Sequence, residues 1–262
     1  MPNPSTFHNP VLLQSACDLL HVRPGLRYID ATLGGGGHST EIIRRGGLVL
    51  GLDQDPEALS ACPGLPGLTK VQSNFIHLKD IAQKYNWLPV SGIIFDLGAS
   101  SHQFDTPSRG FSFQSDGPLD MRMDPSLPNS AADLVNNLTM KHLAMIFKDF
   151  GEIPVAKSLA QKIISVRPLN TTGELAKITG IWSRLAFQAL RIAVNDELGA
   201  IQSALPQAFD LLESGGRLVV ISFHSLEDRL VKQFFNSQLA EVLTPKPIVG
   251  EKSSKLRCIQ KI

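Results

Sequence analysis

The sequence predicts an α/β fold, a doubly wound and mostly parallel sheet interrupted by an inserted helical subdomain. Three observations lead there. Tyr28-Ile29-Asp30-Ala31-Thr32-Leu33-Gly34-Gly35-Gly36-Gly37-His38-Ser39 reads as a buried strand, a glycine turn and the start of a helix. Gly47-Leu48-Val49-Leu50-Gly51-Leu52 is a second apolar strand, and it ends at Asp53. An acid about 20 residues beyond such a turn is where a cofactor's ribose hydroxyls are held. Finally, more than a hundred residues separate the apolar run at 92–97 from the next one at 216–222. That distance holds a further folded unit rather than a single loop.

The elements follow in order. Residues 11–20 place Val11, Leu12, Ala16, Leu19 and Leu20 at helical spacing before Pro24-Gly25 stops the helix, which is expected to pack beside the cofactor edge. Strand one spans 26–31, a helix runs from about 37 to 45, and strand two spans 48–52. A helix opens near Pro56, a short strand covers 70–72, and another helix covers 78–85. Gly92-Ile93-Ile94-Phe95-Asp96-Leu97 is continuously apolar up to Asp96, as a parallel strand buried on both faces should be. The stretch 106–129 is rich in Pro, Gly, Ser and Asp and reads as a long loop, functional or disordered. Helices are expected over 131–137, 140–150, 155–166 and 172–178, followed by one long sheet-covering helix over 187–212. Residues 216–222 form the next strand, and 256–260 alternate like a strand with 247–249 as an antiparallel partner. The expected boundaries are therefore 1–104 and 186–262 for a discontinuous cofactor domain, with 105–185 as the inserted loop and helical domain.

Composition sets further bounds. With 262 residues, 43% hydrophobic and 19% charged, the chain can bury a full core. No apolar run approaches the roughly 20 residues of a membrane span, and the first residues lack a basic-then-apolar leader. A cytoplasmic protein without membrane attachment is expected. Cys17, Cys62 and Cys258 have no CxxC spacing, which suggests neither a disulfide framework nor a zinc site. His38, His102 and His224 lack the i, i+4 spacing of a helical zinc pair, so no catalytic metal is expected. The formal net charge of +1 means that a nucleic acid would be held by local basic patches, not by an overall field.

No Gly-Lys-Ser/Thr follows the turn, which argues against a phosphate loop. The turn fits either a dinucleotide or S-adenosylmethionine. Ser39 replaces the third glycine of the dinucleotide fingerprint, which favours the methyl donor because its single nucleoside needs no pyrophosphate cradle.

Several motifs in order carry a more specific resemblance. They are His8-Asn9-Pro10-Val11-Leu12-Leu13, the glycine turn from Asp30 to Ser39, Asp96-Leu97-Gly98-Ala99-Ser100-Ser101, Arg109-Gly110-Phe111-Ser112-Phe113, Pro118-Leu119-Asp120-Met121-Arg122-Met123-Asp124, Phe187-Gln188-Ala189-Leu190-Arg191-Ile192 and Ser222-Phe223-His224-Ser225-Leu226-Glu227-Asp228-Arg229. Together the chain resembles the bacterial 16S ribosomal RNA cytosine-N4 methyltransferase H family. The resemblance implies a class I methyltransferase with a Rossmann-like sheet and an inserted helical domain. It implies S-adenosylmethionine as donor and a cytidine in the decoding region of 16S ribosomal RNA, within the small ribosomal subunit, as target. An apolar helical insertion also leaves homodimerisation open.

By the same resemblance, the cofactor contacts fall on Gly36, Gly37, His38, Asp53, Phe75, Asp96 and Gln103. Asp53 suits the ribose hydroxyls, the Phe75 ring suits adenine, and Asp96 suits the donor's cationic end. The exocyclic amine of cytosine is a poor nucleophile because its lone pair is delocalised into the ring. A catalytic acceptor, for which Asp96 is the candidate, would favour a pyramidal nitrogen and hold it in line with the methyl group. Phe111 and Phe113 are candidates to stack on an unstacked cytidine, and Arg109, Arg122 and His224 to hold the substrate. Plainer structural readings stand beside these: Phe75 as core, Asp53 and Asp96 as helix caps, His38 as a helix-start residue, Arg122 as the ion-pair partner of Asp120 or Asp124.

The sequence departs from the family at Gly180-Ile181-Trp182-Ser183-Arg184-Leu185-Ala186, which replaces a Pro-Ala-Thr-Arg-Thr lead-in after a shortened insertion. The Asn-Pro-Arg-x-Arg run before Lys252-Ser253-Ser254-Lys255-Leu256-Arg257 is absent, and Gly151-Glu152-Ile153 has one acid where the family has two. Lost arginines weaken phosphate contacts. Two alternative readings stand beside the enzyme: a silent donor-binding module acting in ribosome assembly, and a nicotinamide-dependent oxidoreductase.

Overall fold

Apolar runs and helical periodicity build two compact units, one comprising Met1–Gly98 and Leu198–Ile262, the other Ala99–Glu197. The computed structural model describes residues 10–262, so His8 and Asn9 of the first motif lie outside the described residues.

In the first unit, α1 (Leu13–Leu20) precedes β1 (Arg27–Asp30), α2 (Gly37–Arg44), β2 (Leu48–Asp53), α3 (Pro56–Ala61), β3 (Leu68–Gln72), α4 (Leu78–Lys84) and β4 (Val90–Asp96). The second unit contains α5 (Ser101–Asp105), α6 (Ala131–Asn137), α7 (Met140–Asp149), α8 (Ala156–Ile164), α9 (Thr172–Thr179) and α10 (Ser183–Asn195). The chain then returns through α11 (Glu197–Leu211), β5 (Leu212–Ser222), α12 (Ser225–Ser237), β6 (Ala240–Val242), β7 (Ile248–Val249) and β8 (Lys255–Lys261).

The sheet has the strand order β3-β2-β1-β4-β5-β8-β6, with β7 also paired to β8. Strands β1 to β5 are mutually parallel, and β8 runs antiparallel to β5, with Leu218 opposite Ile259. The expected pairing of 247–249 with the last strand is present as Ile248 opposite Leu256.

Burial on both faces explains the continuous apolar runs. Ile29, Leu50, Ile93, Leu218 and Val220 face one layer, filled by Leu78, Ile81 and Ala82 of α4, Ile201, Ala204, Leu205 and Ala208 of α11, and Val231 and Phe235 of α12. The neighbouring Tyr28, Val49, Ile94, Val219 and Ile221 face Ala16, Cys17 and Leu20 of α1 and Ile42 of α2. This is the period-2 alternation of a strand, with apolar partners on each side. The three cysteines are buried free thiols. Among the described residues, no helix is long and apolar enough to cross a membrane.

The second unit has its own core. Leu143 and Phe147 of α7, Leu159 and Ile163 of α8, Leu175 of α9 and Phe187 and Leu190 of α10 pack with Leu119 and Met121 of the preceding loop. Ser130 and Thr171 start α6 and α9 with capping boxes closed by Asp133 and Glu174. These signals lie in the local sequence, which is why the four helices from α6 to α9 fall where periodicity places them. The long helix expected over 187–212 is instead two helices. Asp196 adopts a left-handed conformation (φ 47°) that ends α10, and α10 contributes its apolar face to the second unit's core. The stretch 106–129 is loop in the main, yet it is tied down: Asn195 accepts from the Met123 amide at 2.8 Å and donates to the Met121 carbonyl at 2.8 Å.

Candidate active site

Parallel strands bring their carboxyl ends to one edge of the sheet, and three of them end on an acid: Asp30 on β1, Asp53 on β2 and Asp96 on β4. The glycine turn lies between β1 and α2 along this edge. Gly34 has φ +50°, and the nearest atom to a Cβ built there is the Thr32 carbonyl oxygen at 4.0 Å, so the turn is open at this point. Gly36 and Gly37 differ. A Cβ on Gly36 would sit 2.5 Å from Cys62 Sγ, and one on Gly37 would sit 2.7 Å from Pro10 Cγ. Their lack of a side chain lets the protein close around the turn, while Gly34 is the glycine over open space.

Asp53 locks the turn. Its Oδ2 accepts from the Gly34 amide at 2.7 Å and its Oδ1 from the Asp55 amide at 2.9 Å. A carboxylate offers about four lone-pair positions, so both oxygens keep capacity for a diol. Burial raises its pKa to about 6 despite these bonds. Asp30 is buried and accepts from Ser39 Oγ at 2.7 Å and from the Thr32 amide at 3.2 Å; burial raises its pKa to about 6 as well. Beyond β3, Asn74 caps the short 3₁₀ turn Phe75–His77, and the half-buried Phe75 meets Phe95 edge-to-face at 5.5 Å. One side of the Phe75 ring thus belongs to the core.

Asp96 is the anomalous member. Its amide donates to Thr32 Oγ1 at 2.6 Å, yet its side-chain Oδ1 is buried with no hydrogen-bond partner. Burial first, then the negative charges of Asp30 and Glu227, raise its pKa to about 8. His38 on α2 places Nδ1 3.9 Å from Asp96 Oδ2, while its Nε2 meets the Val11 carbonyl at 3.2 Å. A carbonyl only accepts, which assigns the ring proton to Nε2. Burial lowers the His38 pKa to about 4, so the ring is neutral.

His224 and Glu227 form the capping box that starts α12: Glu227 Oε2 accepts from the Phe223 and His224 amides at 2.7 and 3.2 Å. His224 Nε2 lies 3.2 Å from Glu227 Oε1. The contact that the structure gives His224 is therefore to its own helix start. Glu227, Asp30 and Thr32 are members of this edge that motif reading did not single out. Asp30 carries the same strand-end signature as Asp53 and Asp96, and Glu227 stands at the capping-box position three residues after His224.

The remaining candidates belong to the second unit. Gln103 is buried and closes the capping box of α5 with Ser100. Arg109 is buried, donates to the carbonyls of Arg122 and Met123 at 3.0 Å, and lies over the Phe111 ring at 5.9 Å. Phe111 is only 3% exposed and packs edge-to-face on Phe104, so it is loop core and not an open stacking platform. Phe113, two residues on, is 40% exposed with one edge against Phe187. Arg122 makes two 2.8 Å bonds to Asp120 and donates to the carbonyls of Pro125 and Leu127 at 2.9 Å. The plainer reading of Arg122, as partner of Asp120, describes these contacts. Arg122→Ala is expected to cost the second unit about 2–3 kcal/mol, because Asp120 and two carbonyls lose a charged donor. Differential scanning calorimetry checks this; an unchanged melting curve with weakened RNA binding would move Arg122 to the substrate.

A profile of the MraW methylase family matches residues 5–262 of the chain. A protein of Thermomicrobium roseum called "Ribosomal RNA small subunit methyltransferase H" is 49% identical over 92% of this chain and 80% of its own length. Proteins of the same name match from Symbiobacterium thermophilum, at 47% identity over 87% of this chain and 79% of theirs, and from Heliobacterium modesticaldum, at 41% over 97% and 98%.

Proposed function

The chain belongs to the MraW methylase family, and from that premise we propose that it methylates the exocyclic N4 amine of a cytidine in the decoding region of 16S ribosomal RNA. The observation that carries the reading is the acidic carboxyl edge of the sheet: a glycine turn locked by Asp53, with the buried, unpartnered Oδ1 of Asp96 beside it. These residues fit S-adenosylmethionine, the methyl donor. Bound there, it would supply an electrophilic methyl group carried on a sulfonium.

The chain's own residues do the rest. Asp53 accepts from the ribose hydroxyls, Phe75 offers its free face to the adenine, and the open backbone at Gly34 receives the donor's main body. Gly36, Gly37 and His38 shape the turn around it. Asp96 is the candidate acceptor for the amino hydrogens of the target base, which pyramidalises the nitrogen and restores its lone pair. Phe113 is the exposed ring suited to stack on the base, in preference to Phe111. Gln103, Arg109 and Arg122 brace the loop of the second unit that carries Phe111 and Phe113, and His224 fixes the start of α12, through the contacts described above. The action is cytoplasmic, in the small subunit or its precursor.

Nucleoside mass spectrometry on 16S RNA, after incubating small subunits that lack the modification with the protein and S-adenosylmethionine, tests the whole reading. New N4-methylcytidine is the expected product. Donor binding without any methylated nucleoside would favour the silent assembly module, and no donor binding would remove the cofactor site.

A second expected result concerns Asp53. Asp53→Ala deletes the acceptor for the Gly34 amide and the proposed acceptor of the diol, so donor Kd should rise about 10- to 100-fold, the worth of one or two charge-assisted hydrogen bonds. Isothermal titration calorimetry with the donor reads this directly, and an unaltered Kd would take Asp53 out of the site.

A further inference from the structure

We propose that the Asp96 carboxylate beside His38, with Asp30 and Glu227 as its charged neighbours, forms a pocket built to hold one positive charge, a proton in the donor-free protein and the donor's sulfonium in the complex. The inference rests on the functional reading above. It says that the donor displaces a proton when it binds, and that methyl transfer puts one back.

The geometry leaves Asp96 short of positive charge. Its Oδ1 is buried without a partner, and its Oδ2 faces His38 Nδ1 across 3.9 Å. With the His38 proton on Nε2 against Val11, that Nδ1 is a lone pair, so two acceptors face one another with no donor between them. Thr32 Oγ1 accepts from the Asp96 amide at 2.6 Å, and Asp96 Oδ1 still has no hydrogen-bond partner. The charged neighbours on the other packed elements are negative. Asp30 on β1 is buried and accepts from the Ser39 hydroxyl and from the Thr32 and Ser39 amides, and Glu227 at the start of α12 is fully buried with Oε2 on two backbone amides. A carboxylate with one oxygen buried and unpartnered, under the negative charges of two further acids, is stable when a proton or another cation neutralises it. The rise of the Asp96 pKa to about 8 has the same sign and the same causes.

The chemistry closes this cycle. The amine nitrogen of the target base gives its lone pair to the methyl carbon, the carbon–sulfur bond breaks with its electron pair going to sulfur, and the sulfonium charge is lost as a neutral thioether forms. The nitrogen, now bearing the methyl group and an excess proton, passes that proton to Asp96. The pocket again holds one positive charge, and the next donor to bind sends the proton to solvent. Neutral product has no such claim on the pocket, so Asp96 discriminates donor from product by charge.

The test is calorimetry of the full chain with S-adenosylmethionine and, separately, S-adenosylhomocysteine, at pH 7 in buffers of different ionisation enthalpy. The amino and carboxyl ends common to the two ligands cancel in the comparison. Expected is the release of close to one more proton by S-adenosylmethionine than by S-adenosylhomocysteine. Its affinity should also weaken by about tenfold per pH unit below about 8 relative to the product's, as one linked proton requires. Asp96→Asn should abolish the difference. Glu227→Gln, which keeps an oxygen for the two amides, should move the midpoint of the pH dependence to lower pH. Equal proton release by the two ligands would overturn the inference, because Asp96 would then answer to a group that both share. If neither ligand gives heat of binding, the functional reading itself fails and the inference with it, an outcome distinct from equal release.

Discussion

Asp96→Asn should abolish methyl transfer while making the donor-free protein harder to unfold above pH 8. The two effects share one cause. The folded pKa of Asp96 is about 8 against an ordinary value of 3.8, so between those values the folded state binds a proton that the unfolded chain has lost. Stability from this group is therefore complete below about pH 4 and declines as pH rises toward 8, beyond which the native protein carries a buried carboxylate without a hydrogen bond to its Oδ1. Asparagine cannot ionise, so it removes that loss. At about pH 3, where Asp96 is protonated in both the folded and the unfolded chain, the two proteins should melt alike; at pH 8.5 the variant should melt several degrees higher. Asp30 and Asp53, raised to about 6, add a milder decline of the same sign at lower pH in both proteins.

Turnover moves the other way. Asparagine's amide nitrogen is a poor proton acceptor, and its side chain carries no charge for the donor's cationic end. Loss of a positioned acceptor typically costs 10²- to 10⁴-fold, and a fall of about 10³-fold is expected. Melting curves from about pH 3 to pH 9, paired with single-turnover methylation of small subunits, check the two limbs. A variant with turnover within a few-fold of the parent would exclude Asp96 as the acceptor, and one no more stable at pH 8.5 would contradict its buried charge.

Gly110→Ala is expected to produce the largest effect in the second unit. Gly110 has φ +73°, and a Cβ there would overlap the Pro118 carbonyl oxygen and stand 2.7 Å from the Asp120 amide. Both obstacles are backbone, so no side chain can rotate away. Asp120 is itself held by Arg122, and the Met121 amide donates to the Arg109 carbonyl at 3.1 Å, so any shift spreads through the strap that carries Phe111 and Phe113. Left-handed strain and a backbone overlap together are worth about 3 kcal/mol or more. Hydrogen exchange over 106–130 should rise sharply and RNA methylation should be lost. Donor affinity, which on the proposed assignment rests on residues of the first unit and on Gln103 of α5, outside the strained loop, should be kept. Normal protection of this segment in the variant would show that the strap relaxes at little cost.

Local physics was legible before any coordinates. Continuous apolar runs marked β1, β2, β4 and β5 because both faces of each are covered, and 3.6-residue periodicity with capping signals marked α6 to α9. The acids at strand ends could be aligned on one edge since parallel strands share direction. The break between α10 and α11 depends on the left-handed conformation of Asp196, and a polar run such as Asn195-Asp196-Glu197 is also compatible with the exposed face of one continuous helix. Phe111 and Phe113 looked equivalent, two aromatics in one loop; packing against Phe104 and Arg109 buries the first and leaves the second 40% exposed.

The sequence by itself determined the sheet, its cofactor-type edge and the existence of a helical insertion, since those follow from periodicity, glycine geometry and strand direction within short windows. Only the tertiary structure decided the ionisation of the site. Asp96 lies far along the chain from both Asp30 and Glu227, and no local pattern says that the three acids will be desolvated together beside a neutral His38. Charge in a protein interior is set by which groups meet away from water, and that is a property of packing, not of neighbouring residues in the chain.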